Sequence, residues 1–190
     1  ICNSQIKDRY IVKEIIAILM MNSYRRIYLN LIIFMSTLII VIIIDQLIKY
    51  LISEYVIQPP NYVYVLPILN LILSYNTGVS FSLLSVQFAD YPIVLGGAQF
   101  IIVLCLSILA LSHRGQLELV SYGLIIGGAL GNIIDRFRVG AVIDFIDVHI
   151  GGWHWPTFNV ADIAVCSGAF LLIWSAYSYK NLGATDNRNV

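Results

Sequence analysis

The stretch IYLNLIIFMSTLIIVIII, residues 27–44, decides the fold class of this chain because it carries no charged side chain. A helix needs about 20 mostly apolar residues to cross a bilayer, and the apolar character here continues as far as Leu51. No small-residue cleavage site follows Ile44, so this run is expected to remain as a span rather than to be removed as a signal peptide. With three later apolar runs, it predicts four transmembrane helices, at about residues 27–48, 91–112, 117–135 and 161–180.

The composition agrees with a membrane protein and excludes several other classes. Of the 190 residues, 59% are hydrophobic and 12% are charged, whereas soluble domains are about half apolar and a quarter charged. The formal net charge is +0, so there is no basic field to attract nucleic acid. Cys2, Cys105 and Cys166 match neither a disulfide framework nor a metal site, and His149 and His154 lack a zinc-binding motif. We therefore expect no metal and no cofactor.

Basic residues beside the spans predict the orientation of the chain in the membrane. Four crossings bring one set of basic residues to the same side, which is predicted to be the cytoplasm and to hold both termini. This set is Arg25, Arg26, Arg114 and Lys180. Lys49, Arg136 and Arg138 fall on the opposite side. Because lysine and arginine beside spans are usually more frequent on the cytoplasmic side, these three residues are expected to have a local role.

Two segments outside the spans are predicted to lie on the outer side. In the first, residues 62–66 and 68–75 favour short β-strands, and residues 78–88 favour a short interfacial helix. The second segment is residues 136–161. The predicted fold class is therefore an all-α polytopic membrane protein with four transmembrane helices, a small extracytoplasmic β-sheet and a short interfacial helix.

The predicted spans and outer segments form a single domain, residues 21–182. Residues 1–20 have mixed polarity, and Met20 or Met21 is a candidate start. This part is therefore expected to be an N-terminal extension that need not be native. Residues 183–190 are expected to be a polar C-terminal tail.

At least four aspartates are predicted to collect at the outer end of the helix bundle. Asp45 and Asp135 end the first and third spans, Asp162 begins the fourth, and Asp144 and Asp147 lie in the outer loop between the last two spans. Ionisable groups beside hydrocarbon are costly, so they are functional candidates by default. An alternative holds for two of them: Asp45 and Asp135 can be boundary residues that pair with nearby basic side chains. The basic neighbours are Lys49 and Arg136.

Asp144 and Asp162 are the stronger candidates, because each lies in an apolar stretch without a basic neighbour in sequence. Two adjacent carboxyl groups that share one proton can act as acid and base on a water molecule. This pattern predicts hydrolysis by a pair of aspartates at one membrane face.

The sequence around these aspartates resembles that of the lipoprotein signal peptidases (signal peptidase II). The resemblance covers the chain from about Met21 to the fourth span and includes five motifs in the family's order. The motifs are residues 45–49 (DQLIK), 76–82 (NTGVSFS), 127–136 (GGALGNIIDR), 142–145 (VIDF) and 158–162 (FNVAD). Val79 and Ser80 depart from the two alanines usual in the family, and because both are small we expect little consequence.

The resemblance implies an aspartic endopeptidase in the bacterial inner membrane, with its active site at the extracytoplasmic face. It implies that the enzyme removes signal peptides from diacylglyceryl-modified prolipoproteins, cleaving before the lipidated cysteine. The catalytic residues implied are Asp144 and Asp162. Supporting or substrate-binding roles are implied for Asp45, Lys49, Asn76, Gly78, Asn132, Asp135, Arg136 and Asn159. The expected partners are lipid-modified prolipoproteins and membrane lipid, and the expected state is a monomer.

Two other classes of protein remain as alternatives. A proton-coupled transporter also keeps aspartates in the membrane, but it needs polar groups near the midplane, where these four runs are apolar. A lipid-binding or assembly module is the second alternative. Such a module uses small residues for helix packing, as Gly123, Gly127 and Gly131 suggest. Cleavage of a lipidated precursor discriminates the peptidase from both.

Overall fold

Four long helices and a four-stranded antiparallel sheet make up the fold, in a computed structural model that describes residues 2–56, 62–78, 91–113 and 115–186. The helices are α1 (Cys2–Leu51), α2 (Pro92–Ser112), α3 (Gln116–Val139) and α4 (Val160–Asp186). The strands are β1 (Tyr62–Leu66), β2 (Leu69–Asn76), β3 (Val142–Ile150) and β4 (Trp153–His154). All four helices are long and apolar enough to cross a membrane. The four predicted spans and the small sheet are therefore confirmed.

Helix α3 is the central element, because it contacts α1, α2 and α4. Its small residues allow this close packing. A Cβ added at Gly127 would lie 2.9 Å from the carbonyl oxygen of Leu38 in α1, a separation that leaves no room for a side chain. On the α2 side, Val103 and Ala110 pack with Tyr122 and Ile126 of α3 in the main apolar core. The glycine pattern thus serves helix packing.

The helix ends differ from the predicted ones at several positions. Helix α1 begins at Cys2 and continues into a π-helical turn at Ile52–Val56, so residues 2–20 belong to the same helix as the first span. No glycine or proline occurs before Pro59, so nothing in the backbone breaks the helix earlier. Helix α3 passes the predicted end at residue 135 by four residues and stops at the left-handed Gly140 (φ 79°). Helix α4 likewise extends into the predicted polar tail.

The sheet includes two strands that the sequence did not predict. The strand order is β1-β2-β3-β4, and β3 and β4 both come from the segment 136–161. Asn70 of β2 pairs with Asp147 of β3, and Ser74 pairs with Asp144. The β3–β4 hairpin turns at Gly151 and Gly152, both with positive φ. The predicted interfacial helix at residues 78–88 falls mostly outside the described residues.

Candidate active site

A buried ion cluster joins α1 and α3 at one end of the bundle. Lys49 Nζ lies 2.8 Å from Asp45 Oδ2 and 2.6 Å from Asp135 Oδ2, and it donates a hydrogen bond to Asn132 Oδ1 at 3.0 Å. All three charged side chains are at most 1% exposed. The expected alternative pairing of Asp45 with Lys49 is therefore correct. The alternative pairing of Asp135 with Arg136 is wrong, because Asp135 contacts the same lysine as Asp45.

The two aspartates of this cluster also bind the elements that carry the rest of the site. The Ala161 N–H at the start of α4 donates to Asp45 Oδ1 at 2.9 Å. Asp135 accepts from Gln46 Nε2 at 2.9 Å and from the Ile143 N–H of β3 at 3.3 Å. Buried charges of this kind are tolerated only when they are paired and hydrogen-bonded. The cluster therefore acts as a clamp that fixes α4 and β3 against α1 and α3.

Asp144 and Asp162, predicted as the reactive pair, meet through Asn159. Asn159 Nδ2 donates to Asp144 Oδ1 at 2.7 Å, and the Asn159 N–H donates to Asp162 Oδ2 at 3.2 Å. In return the Asp162 N–H donates to Asn159 Oδ1 at 3.0 Å. This reciprocal pair has the geometry of a capping box at the start of α4. One local helix-capping device thus also holds both carboxyl groups.

Two more asparagines orient the carboxyl groups from other elements. Asn132 of α3 donates through Nδ2 to Asp162 Oδ1 at 3.0 Å, and its Oδ1 accepts from Asn159 Nδ2 at 3.1 Å. Asn76, the last residue of β2, donates to Asp144 Oδ2 at 3.0 Å. Each aspartate is therefore held by two donors. Because Asn132 also accepts from Lys49, the aspartate pair and the ion cluster form one continuous network.

The environment of Asp144 favours its protonated form. Asp144 is 1% exposed, and burial raises its pKa from the ordinary 3.8 to about 7, with hydrogen bonds from Asn76 and Asn159 opposing the rise. The negative charge of Asp162 raises the pKa further. Near neutral pH this group can therefore carry a proton.

Arg136 and Gly78 lie beside the pair rather than on it. Arg136 Nη2 donates to the Gly78 carbonyl at 2.6 Å and Nη1 donates to Gln99 Oε1 at 3.0 Å. The Gly78 N–H donates to Asn76 Oδ1 at 2.9 Å. We find no hydrogen bond from Arg136 to either aspartate of the pair within the described residues. The arginine thus positions the chain around Gly78, which in turn orients Asn76.

Two site residues were missed by the sequence analysis. Gln46 lies next to Asp45 within a quoted motif and bonds to both Asp135 and the Gly131 carbonyl. Gln99 is the partner of Arg136, and it is a lone amide in an apolar predicted span. A polar side chain within hydrocarbon needs a partner, so this signal was present in the sequence.

Asp147 is an aspartate of the same strand that serves the sheet instead. It accepts from Asn70 Nδ2 at 3.0 Å, and His154 Nδ1 lies 2.8 Å from its Oδ1. Burial raises the pKa of Asp147, but the hydrogen bonds from His154 and Asn70 outweigh it and bring the pKa below its usual value. This carboxylate is therefore ionised and structural, in contrast to Asp144.

Comparison with known proteins assigns the family. The sequence model of the family described as signal peptidase (SPase) II matches residues 37–178. The chain belongs to the signal peptidase II family. It is 47% identical over 138 residues to a lipoprotein signal peptidase of Coxiella burnetii (strain RSA 493 / Nine Mile phase I), covering 71% of this chain and 83% of that protein. It is 42% identical over 151 residues to the lipoprotein signal peptidase of Polynucleobacter necessarius subsp. necessarius, covering 77% and 90%.

Solved structures agree with this assignment. A bacterial membrane enzyme structure determined by the in meso method at 2.3 Å resolution has a TM-score of 0.66 and 30% sequence identity, over 76% of this chain and 87% of that chain. A second one, at 1.9 Å resolution, has a TM-score of 0.62 and 30% identity over 75% and 91%. The family resemblance inferred from the five motifs is confirmed.

In this signal peptidase II family member, a cavity of about 360 Å³ opens between α2, α3 and α4 and reaches Asp162. Asn76, Asn132 and Arg136 line its polar end. Apolar side chains of the three helices line the remainder, including Leu95, Ile102, Leu106, Ile125 and Val165. A smaller groove between Trp155, Phe158 and Cys166 also reaches Asp162. The carboxyl group of Asp162 is thus accessible, whereas Asp144 is covered.

Proposed function

We propose that this chain is an aspartic endopeptidase that removes the signal peptide from diacylglyceryl-modified bacterial prolipoproteins and cleaves before the lipidated cysteine. The family membership and the names of its relatives support the substrate class. The observation that carries the mechanism is the contact of one residue, Asn159, with both Asp144 and Asp162. Two carboxyl groups held together, one of which favours its proton, are what water activation requires.

In the proposed reaction the pair holds one proton between its two carboxyl groups. Asp144 carries it, since its pKa of about 7 is high for a carboxyl group. Asp162, which reaches the cavity, is ionised and takes a proton from water as the water oxygen attacks the scissile carbonyl. Asp144 donates to the developing oxyanion. Collapse of the tetrahedral intermediate breaks the C–N bond as the proton on Asp162 passes to the leaving amine of the cysteine. One hydroxyl group of the intermediate returns its proton to Asp144, which leaves the new C-terminal carboxyl group and restores the pair.

Asp135 is the competing candidate for membership of the pair, and its contacts argue against that role. Both of its oxygens are occupied by Lys49, Gln46 and the Ile143 N–H, and its side chain is fully buried. Asp135 is also not among the described residues that line the cavity and the groove reaching Asp162. We assign Asp135, together with Asp45 and Lys49, to the clamp that holds β3 and α4 in place.

Asn76 and Gly78 are among the residues for which the family resemblance implies supporting or substrate-binding roles. Their contacts favour the supporting role, in which Asn76 orients Asp144 and Arg136 fixes the chain at Gly78. The apolar part of the signal peptide occupies the cavity between α2, α3 and α4, and the acyl chains remain in lipid between helices. We propose that the active unit is a monomer.

The proposed orientation puts the aspartates at the extracytoplasmic face and both termini in the cytoplasm. It rests on the excess of arginine and lysine at the other end of the spans. Single cysteines introduced near Asp144 and near Arg114 test it. Membrane-impermeant maleimide should label the first position from outside the cell and not the second, and the reverse pattern would overturn the orientation.

A gel-shift cleavage assay tests the function directly. Purified wild type is incubated with a diacylglyceryl-modified prolipoprotein and with the unmodified precursor, beside Asp162→Asn and Asp144→Asn. We expect cleavage of the lipidated precursor by wild type only. Asp147→Asn is the matched control, because this buried aspartate lies in the same strand as Asp144 and contacts Asn70 and His154 instead.

Three outcomes would contradict parts of the proposal. Strong residual cleavage by Asp144→Asn or by Asp162→Asn would contradict the two-aspartate mechanism. Equal cleavage of the unmodified precursor sinks the substrate class. A folded Asp135→Asn variant that is as inactive as Asp162→Asn would require Asp135 to be reconsidered as a member of the pair.

A further inference from the structure

A second cavity lies at the opposite end of the bundle from the aspartates. It has a volume of about 360 Å³ and is lined by residues 23–34 of α1, the end of α2 and the start of α3. On α1, Arg26 at this cavity precedes Asp45 by 19 residues, a rise of about 28 Å along a helix. The hydrocarbon core of a bilayer is about 30 Å thick. The two cavities therefore lie at opposite boundaries of the membrane.

The packing of α1 on α3 explains why this space exists. The two helices approach closely at Gly123, where an added Cβ would lie 3.1 Å from the Phe34 carbonyl oxygen. Toward its N-terminus, α1 is almost entirely exposed from Leu19 to Leu29, so it has left the surface of α3. Ile27, Leu31 and Phe34 form the apolar wall on this side, and Leu111 and Leu119 complete it.

The rim of the cavity is cationic and rich in donors. Ser23, Arg26 and His113 lie on it, and none of the described residues that line the cavity is acidic. Within the described residues, Arg26 makes no ion pair. His113 Nδ1 lies 2.9 Å from the Leu109 carbonyl, which leaves Nε2 as the ring atom available to another group. A positive rim over an apolar wall complements a molecule with an anionic head and a hydrocarbon chain.

We propose that this cavity binds an anionic phospholipid of the leaflet opposite the aspartates. Arg26 and Ser23 hold the phosphate at the membrane boundary, and one acyl chain lies along Leu31 and Phe34. The position, the charge and the shape of the cavity all fit this ligand. The binding site is separate from the aspartate pair, and the proposal does not depend on the peptidase activity.

Native mass spectrometry of the full chain with added phosphatidylglycerol or phosphatidylcholine tests this site. We expect wild type to retain phosphatidylglycerol preferentially, and Arg26→Gln to lower its affinity about fivefold, the effect of one basic residue at a lipid headgroup. Arg25→Gln is the matched control, because Arg25 is adjacent and exposed but does not line the cavity. Leu31→Trp should also reduce retention by filling the groove, whereas Leu29→Trp, outside the lining, should not.

Each other result overturns the proposal. Equal retention of the two lipids, or equal loss in Arg25→Gln and Arg26→Gln, indicates general attraction between a basic surface and lipid. Full retention in Leu31→Trp removes the acyl chain from the groove. Competition by glycerol phosphate as effective as that by phosphatidylglycerol indicates a site for a free phosphate. Unchanged thermal unfolding of the variants in detergent shows that each comparison concerns folded protein.

Discussion

The free energy of unfolding of the Asp144→Asn variant, relative to that of wild type, should increase as the pH rises from 4 to 8. Burial raises the pKa of Asp144 in the folded protein from 3.8 to about 7. Between these two values the unfolded chain has released the proton and the folded chain has kept it. The stability that the protonated group contributes is therefore fully present below pH 4 and is lost as the pH rises to about 7.

The size of the effect follows from the difference of about three pKa units. At 1.36 kcal/mol for each unit, the wild type should lose roughly 4 kcal/mol relative to Asp144→Asn between pH 4 and pH 8. For a chain of this length, each kcal/mol corresponds to roughly 2–4 °C in Tm. The relative shift should therefore be about 10 °C. Hydrogen bonds lost in the variant change both ends of the comparison equally, so they do not affect the pH dependence.

Thermal unfolding of both proteins in the same detergent, at intervals from pH 4 to pH 8, measures this difference. Asp147→Asn is the control, because Asp147 is buried in the same strand but has a lowered pKa. That variant should be less stable than wild type at pH 8. A difference between wild type and Asp144→Asn that is constant across the range would refute the assignment of a proton to Asp144. A stability of wild type relative to Asp144→Asn that increases toward alkaline pH would refute it as well.

Three further outcomes are expected. Cleavage by wild type should fall as the pH rises above about 7, because the pair then loses its proton; a rate that keeps increasing to pH 9 would contradict this. Lys49→Met should destabilise the protein by about 3–5 kcal/mol because it leaves two buried carboxylates unpaired, and adding Asp45→Asn should restore part of the loss. Gly127→Val should cost about 1–3 kcal/mol because its side chain meets the Leu38 carbonyl, whereas Gly97→Val, which has open space around it, should cost less in the same unfolding measurement.

The sequence alone was sufficient to predict the four spans and the end of the bundle at which the candidate site lies. A span is recognisable from one segment, because hydrocarbon must be contacted by apolar side chains along about 20 successive residues. The number of spans then places Asp45, Asp135 and Asp162 at the same end. These patterns depend only on residues within a few helical turns of one another, so they can be recognised without the tertiary structure.

Contacts between segments that are distant in the sequence could not be predicted from it. Strand β3 was not predicted, because Asp144, Asp147 and His149 interrupt its apolar residues without the strict alternation of a half-exposed strand. Its formation depends on β2, which lies about 70 residues earlier. Asp135 likewise pairs with Lys49 rather than with the adjacent Arg136, because the packing of α1 against α3 brings the lysine to it.

What the sequence determined by itself is thus the class of protein and the set of polar residues at one membrane face. What only the tertiary structure decided is their division into a clamp around Lys49 and a pair around Asn159. Carboxyl groups are chemically alike in sequence, and their roles separate only through the donors and the burial that surround them. Asp144 and Asp147 lie three residues apart on one strand, and folding shifts their pKa values in opposite directions.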